Sequence, residues 1–155
     1  GYLHDIGNMI GRSNHNLAGA LISFLLLKEL GMPEHELAEV VAAVGNHDEG
    51  DGQSISNISA AVILADKSDV HRSRVRNQDF STFDIHDRVN YAAKKSQLDI
   101  DPATRFITLN LEIDTKISQV MEYFEIFLTR MVMCRRAAEF LECRFSLIIN
   151  EVRLL

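Results

Sequence analysis

The apolar spacing of this chain changes its period once, and that change limits the folds open to it. Up to about residue 92 apolar side chains recur at helical intervals; beyond it Ile107, Leu109, Leu111 and Ile113 alternate with Thr108, Asn110 and Glu112. A stripe that returns every three or four residues belongs to a helix, and one that returns every second residue to a half-buried strand. The 155 residues suffice for one domain with a real core, or for a domain with a small appendage. The expected architecture is mainly α: a helical bundle over 1–92, then a small α+β tail over 93–155 in which an antiparallel sheet packs on one long helix.

Within the first part, His15 to Leu30 is apolar nearly all round, with Leu17, Leu21, Ile22, Phe24, Leu25 and Leu26, which predicts a helix buried on most sides. Gly31 supplies a stop, and Pro33 followed by Glu34 and Glu36 a new start. Leu37, Val40, Val41 and Val44 stripe the next helix, which delivers His47 just past its end. Gly50-Asp51-Gly52-Gln53-Ser54 is turn chemistry. A third helix is expected from about Asn57 to Val70, with Ile58, Ala61, Val62 and Ala65 inward and Asp66 one turn beyond Val62 on the same face. Residues 73–83 look irregular and basic, and Asp84 caps a short helix.

In the tail, Leu98 and Ile100 form the partner of the 107–113 strand across a turn at 101–104. A long helix from about Ser118 to Leu141 follows, and Phe145, Leu147 and Ile149 alternate after it. That helix carries two apolar stripes; the second predicts packing within the chain or a homodimer through the C-terminal helix.

Net charge of −6 argues against a surface that coats a nucleic-acid polymer, without excluding a nucleotide substrate. Cys134 and Cys143 lack paired-ligand spacing and read as reduced thiols on a buried surface. The apolar run 17–27 falls short of the ~20 residues of a membrane span. With no signal peptide in view, a cytoplasmic protein without membrane attachment is expected.

The chemistry-bearing residues stand in four separate contexts. His4-Asp5 lies in LHDIGN at 3–8, His15 opens HNLAGA at 15–20, His47 sits in GNHDEGDG at 45–52, and Asp66 in ILADKSDV at 63–70. Imidazole with carboxylate suits Mn, Fe, Co, Ni or Zn, with Mg open to a carboxylate-rich site. His35, between two glutamates, reads as exposed, and the second doublet His86-Asp87 lacks ligand-like companions.

These four segments resemble the HD-domain superfamily of metal-dependent phosphohydrolases, over roughly residues 1–90. The resemblance implies an HD-domain helical bundle in which His4, Asp5 and Asp66 hold a primary divalent ion, together with a histidine upstream of Gly1. Gly1-Tyr2-Leu3 reads as mid-helix without a starting cap, so that histidine is expected before the first residue. It further implies that Asp5 bridges to a second ion, and that His15 and His47 serve that ion or donate to the scissile phosphate; one or two ions are both open. Asn8 stands where many relatives carry Lys. Asn46-His47-Asp48 replaces the consecutive histidines of the HD-GYP enzymes, and the Gly-Tyr-Pro signature is absent.

Substrate grip is expected from the basic run Lys67, His71, Arg72, Arg74 and Arg76, either as a phosphate clamp through Arg72, Arg74 and Arg76 or as a solvated face. Lys67 and Asp69 are further catalytic candidates; Asp69 reads as a general base or as the ion-pair partner of Arg72 or Arg76. The expected function is metal-dependent hydrolysis of a phosphomonoester or phosphodiester, with a small nucleotide-like substrate. A metal- or nucleotide-binding regulatory module without turnover is the alternative.

Overall fold

The structure, a computed structural model, describes residues 1–50 and 52–154. Asp51, in the turn expected at 50–54, and Leu155, at the end of the expected tail, lie outside the described residues. Among the described residues the chain is mainly helical with one small sheet. It divides into two compact units, Gly1–Asp66 and Lys67–Leu155. The division falls inside a helix, well before the boundary expected at residue 92. The reason is that residues 85–92 pack with the tail's own helix and first strand, and the turn at 72–74 packs on residues 85–92.

The first unit opens with a 3₁₀ turn at Ile6–Met9, followed by α1 (His15–Glu29), α2 (Glu34–Gly45) and the start of α3 (Asn57–Ser68). Gly31, with φ of +78°, turns the chain out of α1, and its amide donates to Lys28 O. Pro33 precedes α2, with Glu34 and Glu36 in the first turn where the helix dipole favours acids.

Two expectations about buried faces fail here. Helix α1 buries only His15, Gly19 and Ser23, while Leu21 is 68% and Leu25 67% exposed. Residues four apart share one face, and on α1 that face carries small side chains that let Gly7 and Val44 approach Gly19 closely. On α3, Ile58, Ala61 and Ala65 are exposed, whereas Ser59, Ala60, Val62, Ile63 and Leu64 are buried. On α1 close approach, rather than the density of apolar side chains, selects the inner face.

The second unit contains two further 3₁₀ turns (Arg72–Arg74 and Phe80–Thr82), then α4 (Ile85–Ala92), β1 (Ala93–Asp101), β2 (Phe106–Ile113), α5 (Val120–Phe140), β3 (Arg144–Ile149) and β4 (Val152–Arg153). Asp84 caps α4 by accepting from Asp87 N at 2.7 Å. The β1–β2 turn is held by Asp101, whose carboxylate accepts from Thr104 Oγ1 at 2.6 Å and Ala103 N at 2.9 Å.

The strands lie in the order β1-β2-β3-β4. β1 and β2 are antiparallel, with Leu98 opposite Leu109 and Ile100 opposite Ile107. β2 and β3 are parallel, with Leu109 opposite Leu147, so the sheet is mixed and not the antiparallel one expected. The connection explains this: a strand reached through a long helix returns to the starting end of the sheet and pairs in parallel. The core consists of Ile107, Leu109, Leu111 and Ile113 of β2, Phe145, Leu147 and Ile149 of β3, and Tyr123, Phe127, Met131, Cys134 and Ala137 of α5. Met121, Leu128 and Phe140 of α5 stay exposed. No helix among the described residues is long and apolar enough to cross a membrane.

Candidate metal centre

Gly7 sets the geometry of the centre. A Cβ there would lie 1.9 Å from His15 O and 2.6 Å from Gly19 N, so only glycine lets the 3₁₀ turn press against the start of α1. That contact lays the His4-Asp5 doublet beside His15. Asn14, in the left-handed region at φ 55°, turns the chain into the helix at that point. A second tether brings in His47: Asn16 Nδ2 donates to Gly45 O at 2.9 Å, fixing the end of α2 to the start of α1. Asp66 arrives from α3, one turn after buried Val62, with its side chain only 12% exposed.

Three imidazoles and two carboxylates therefore converge. His15 Nε2 lies 3.2 Å from His47 Nε2 and 3.2 Å from Asp5 Oδ1. His47 Nε2 is 3.6 Å from the same Asp5 oxygen. His4 Nε2 lies 3.5 Å from Asp66 Oδ1 and 3.6 Å from Asp5 Oδ2. Two groups have their ligand atoms close enough to share an ion: His4, His47 and Asp66, and Asp5, His15 and His47. All five metal ligands expected from the sequence fall in these groups.

The other ring nitrogens decide what this cluster can do. His4 Nδ1 donates to Gly1 O at 2.7 Å, His15 Nδ1 to Arg12 O at 3.1 Å, and His47 Nδ1 to Val44 O at 2.7 Å. A carbonyl oxygen can only accept, so each neutral ring carries its proton on Nδ1 and presents a bare lone pair at Nε2. Three lone pairs and two carboxylates then face one another, and His47 is only 1% exposed. Such an arrangement could hold a cation, a metal ion or a proton on one of the rings. The spacings fit one: bonds of ~2.1 Å place neighbouring ligand atoms roughly 3.0–3.4 Å apart. Without an ion, the Asp66 carboxylate beside His4 holds the pKa of that imidazole above its ordinary value, with burial opposing.

The structure also brings in a residue to which the sequence reading gave no role. Asp48 Oδ1 lies 3.9 Å from His15 Nε2. The available signal was a His-Asp doublet at 47–48, in the same form as the doublet at 4–5.

The remaining candidates belong to the second unit and have surroundings of their own. Asp69 is paired with Arg74 at 2.7 Å, and not with Arg72 or Arg76. The Arg72 guanidinium lies 5.1 Å from the Tyr91 ring centre, and Arg76 is exposed. Lys67 is buried at the end of α3. His71 donates from Nε2 to Lys94 O at 3.0 Å. His35 and His86 are exposed, and Asn8 is exposed beside the doublet.

Comparison of the chain with protein-family models, with curated proteins and with solved structures gives no match.

Proposed function

We propose that this protein is a metal-dependent phosphohydrolase of the HD type, acting on a phosphomonoester or phosphodiester of nucleotide-like character. One observation carries the reading: three imidazoles, each with Nδ1 tied to a carbonyl three residues upstream, aim their Nε2 lone pairs at two carboxylates. Their segments are those that resemble the HD family, and this favours that class over an unrelated histidine cluster. Mixed nitrogen and oxygen ligands without a thiolate favour a borderline divalent ion over a structural zinc site.

Bound there, a divalent ion would neutralise phosphoryl charge and lower the pKa of water towards ~7. The chain's own residues do the rest of the positioning. Buried His15 and His47 form a rigid floor whose rings cannot turn without losing their carbonyl bonds. Asp66 orients His4 from α3. Asp5, 45% exposed at its side chain, is the most open of the ligand set and marks the side from which a phosphate enters. Its two oxygens face different partners, Oδ2 towards His4 and Oδ1 towards His15 and His47, which suits a carboxylate shared between two ions.

The test is hydrolysis of p-nitrophenyl phosphate and bis(p-nitrophenyl) phosphate, with Mn²⁺ and after chelation. Mn-dependent turnover that falls at least ~100-fold in Asp5→Ala supports the proposal, because even partners outside the ligand shell cost 10–100-fold. Bound metal without turnover across a broad phosphate-ester panel would favour the regulatory module instead.

A further inference from the structure

The two edges of the sheet are built differently. β4, at one edge, has only Val152 and Arg153, too short to template another strand. β1, at the other, runs over Ala93–Asp101 and pairs on one side only, with β2. Every second residue of such a strand turns its N–H and C=O away from the sheet. The start of β1 is closed. Its bulge falls at Lys94, whose carbonyl accepts from His71 Nε2 at 3.0 Å and whose ammonium pairs with Asp114 at 2.8 Å. From Lys95 to Asp101 the register with β2 is unbroken, and no proline interrupts it. Gln97, Asp99, Ile100 and Asp101 are exposed, Ile100 to 65%.

The sequence of this open stretch, Lys95-Ser96-Gln97-Leu98-Asp99-Ile100-Asp101, selects the strand that fits it. Two identical strands paired antiparallel about a two-fold axis at Leu98 set Lys95 opposite Asp101, Gln97 opposite Asp99, and Leu98 opposite itself. Asp99 accepts hydrogen bonds from Gln97 Nε2 and Asn110 Nδ2, and Asp101 from Thr104 Oγ1. These donors are neutral and leave the charge of both carboxylates unmatched. Neighbouring registers fail. An axis at Gln97 drives Ile100 of the second copy against Lys94, where His71 is bound. An axis at Asp99 sets that acid against itself, and one at Ile100 sets Asp99 against Asp101.

We propose that a second copy of this chain pairs with β1, antiparallel and centred on Leu98, so that the sheet continues across a two-fold axis. The occupant is a second copy because the charges of the strand complement their own reversal. This surface differs from the C-terminal helix on which the sequence pattern placed a homodimer, and the inference does not depend on the metal reading. A strand edge alone buries less than the ~800 Å² per partner of a standard interface, so the association is reversible and depends on concentration.

The experiment is sedimentation velocity of the full chain across micromolar concentrations, at low and high salt, for the wild type, Gln97→Lys and Gln97→Glu. Thermal melts check that each is folded. Gln97 is exposed and lies opposite neutral Asn110 within its own sheet, so neither change sets like charges against β2. In the proposed register each change acts twice, against Asp99 of the other copy. The expected result is a wild-type monomer–dimer equilibrium, at least ~3-fold tighter in Gln97→Lys and at least ~3-fold weaker in Gln97→Glu. Both differences shrink in high salt. Weakening by both changes overturns the register, because it is the mark of an axis at Gln97. A dimer indifferent to both changes overturns β1 as the interface. A wild type that stays monomeric at every concentration overturns the proposal outright and leaves the metal centre standing.

Discussion

Gly7 and Asp5 carry the account at the scale of single residues. Gly7→Ala places a methyl 1.9 Å from His15 O, a clash with backbone that no rotamer relieves. We expect it to cost more than ~2 kcal/mol in denaturant unfolding and to lower metal affinity, because the doublet must move off α1. The doublet was legible because His-Asp-x-Gly combines two candidate ligands with the residue that permits their approach, whereas His15, His47 and Asp66 were expected from the resemblance of their segments to the HD family. Asp48 was not legible. An acid in a Gly- and Asp-rich loop looks solvated, and only the fold-back onto Gly52 sets it against His15. The ion-pair role considered for Asp69 is the one its contact with Arg74 supports.

For the elements, two tethers give measurable consequences. Asn16→Ala removes the bond from α1 to Gly45 O at the end of α2 and should cost about 1 kcal/mol, read from the shift in denaturation midpoint. In the second unit, Glu122 closes a capping box at the start of α5 by accepting from Gln119 N at 2.9 Å. The Ser118 hydroxyl, then the Gln119 amide and Arg88, hold its pKa below the usual 4.5. A depressed carboxylate pKa adds stability that is present above the unfolded value and lost as pH falls through the folded one. Glu122→Gln should therefore lower Tm at pH 7, with the difference from wild type closing as pH drops below the ordinary glutamate range.

Element types and approximate bounds were legible from periodicity, yet two properties were not. Helix α1 is apolar on every side, so its pattern could not reveal that His15, Gly19 and Ser23 face inward. Strand alternation is the same in parallel and antiparallel pairs; only α5 between β2 and β3 distinguishes them.

Across the whole molecule, the change of period at residue 93 located the sheet, whereas the compact units meet at Asp66/Lys67. Periodicity reports local geometry, and the boundary depends on which neighbours α4 and its preceding turns choose. All the proposed ligands lie in the first unit, so metal should stabilise the chain by mass action. At Mn²⁺ concentrations near 100 times Kd the gain is about 2.7 kcal/mol, visible as a higher melting temperature for the first unit and absent in Asp5→Ala.

The most direct test of the central claim is the metal content of purified wild-type protein against Asp5→Ala, by elemental analysis of samples shown to be folded. The account predicts transition metal at one ion or more per wild-type chain, falling to a small fraction of that in the variant, because Asp5 reaches both ligand groups. Folded wild-type protein without metal after exposure to Mn²⁺, Fe²⁺, Co²⁺ and Zn²⁺, or a variant that holds as much as the wild type, would contradict it.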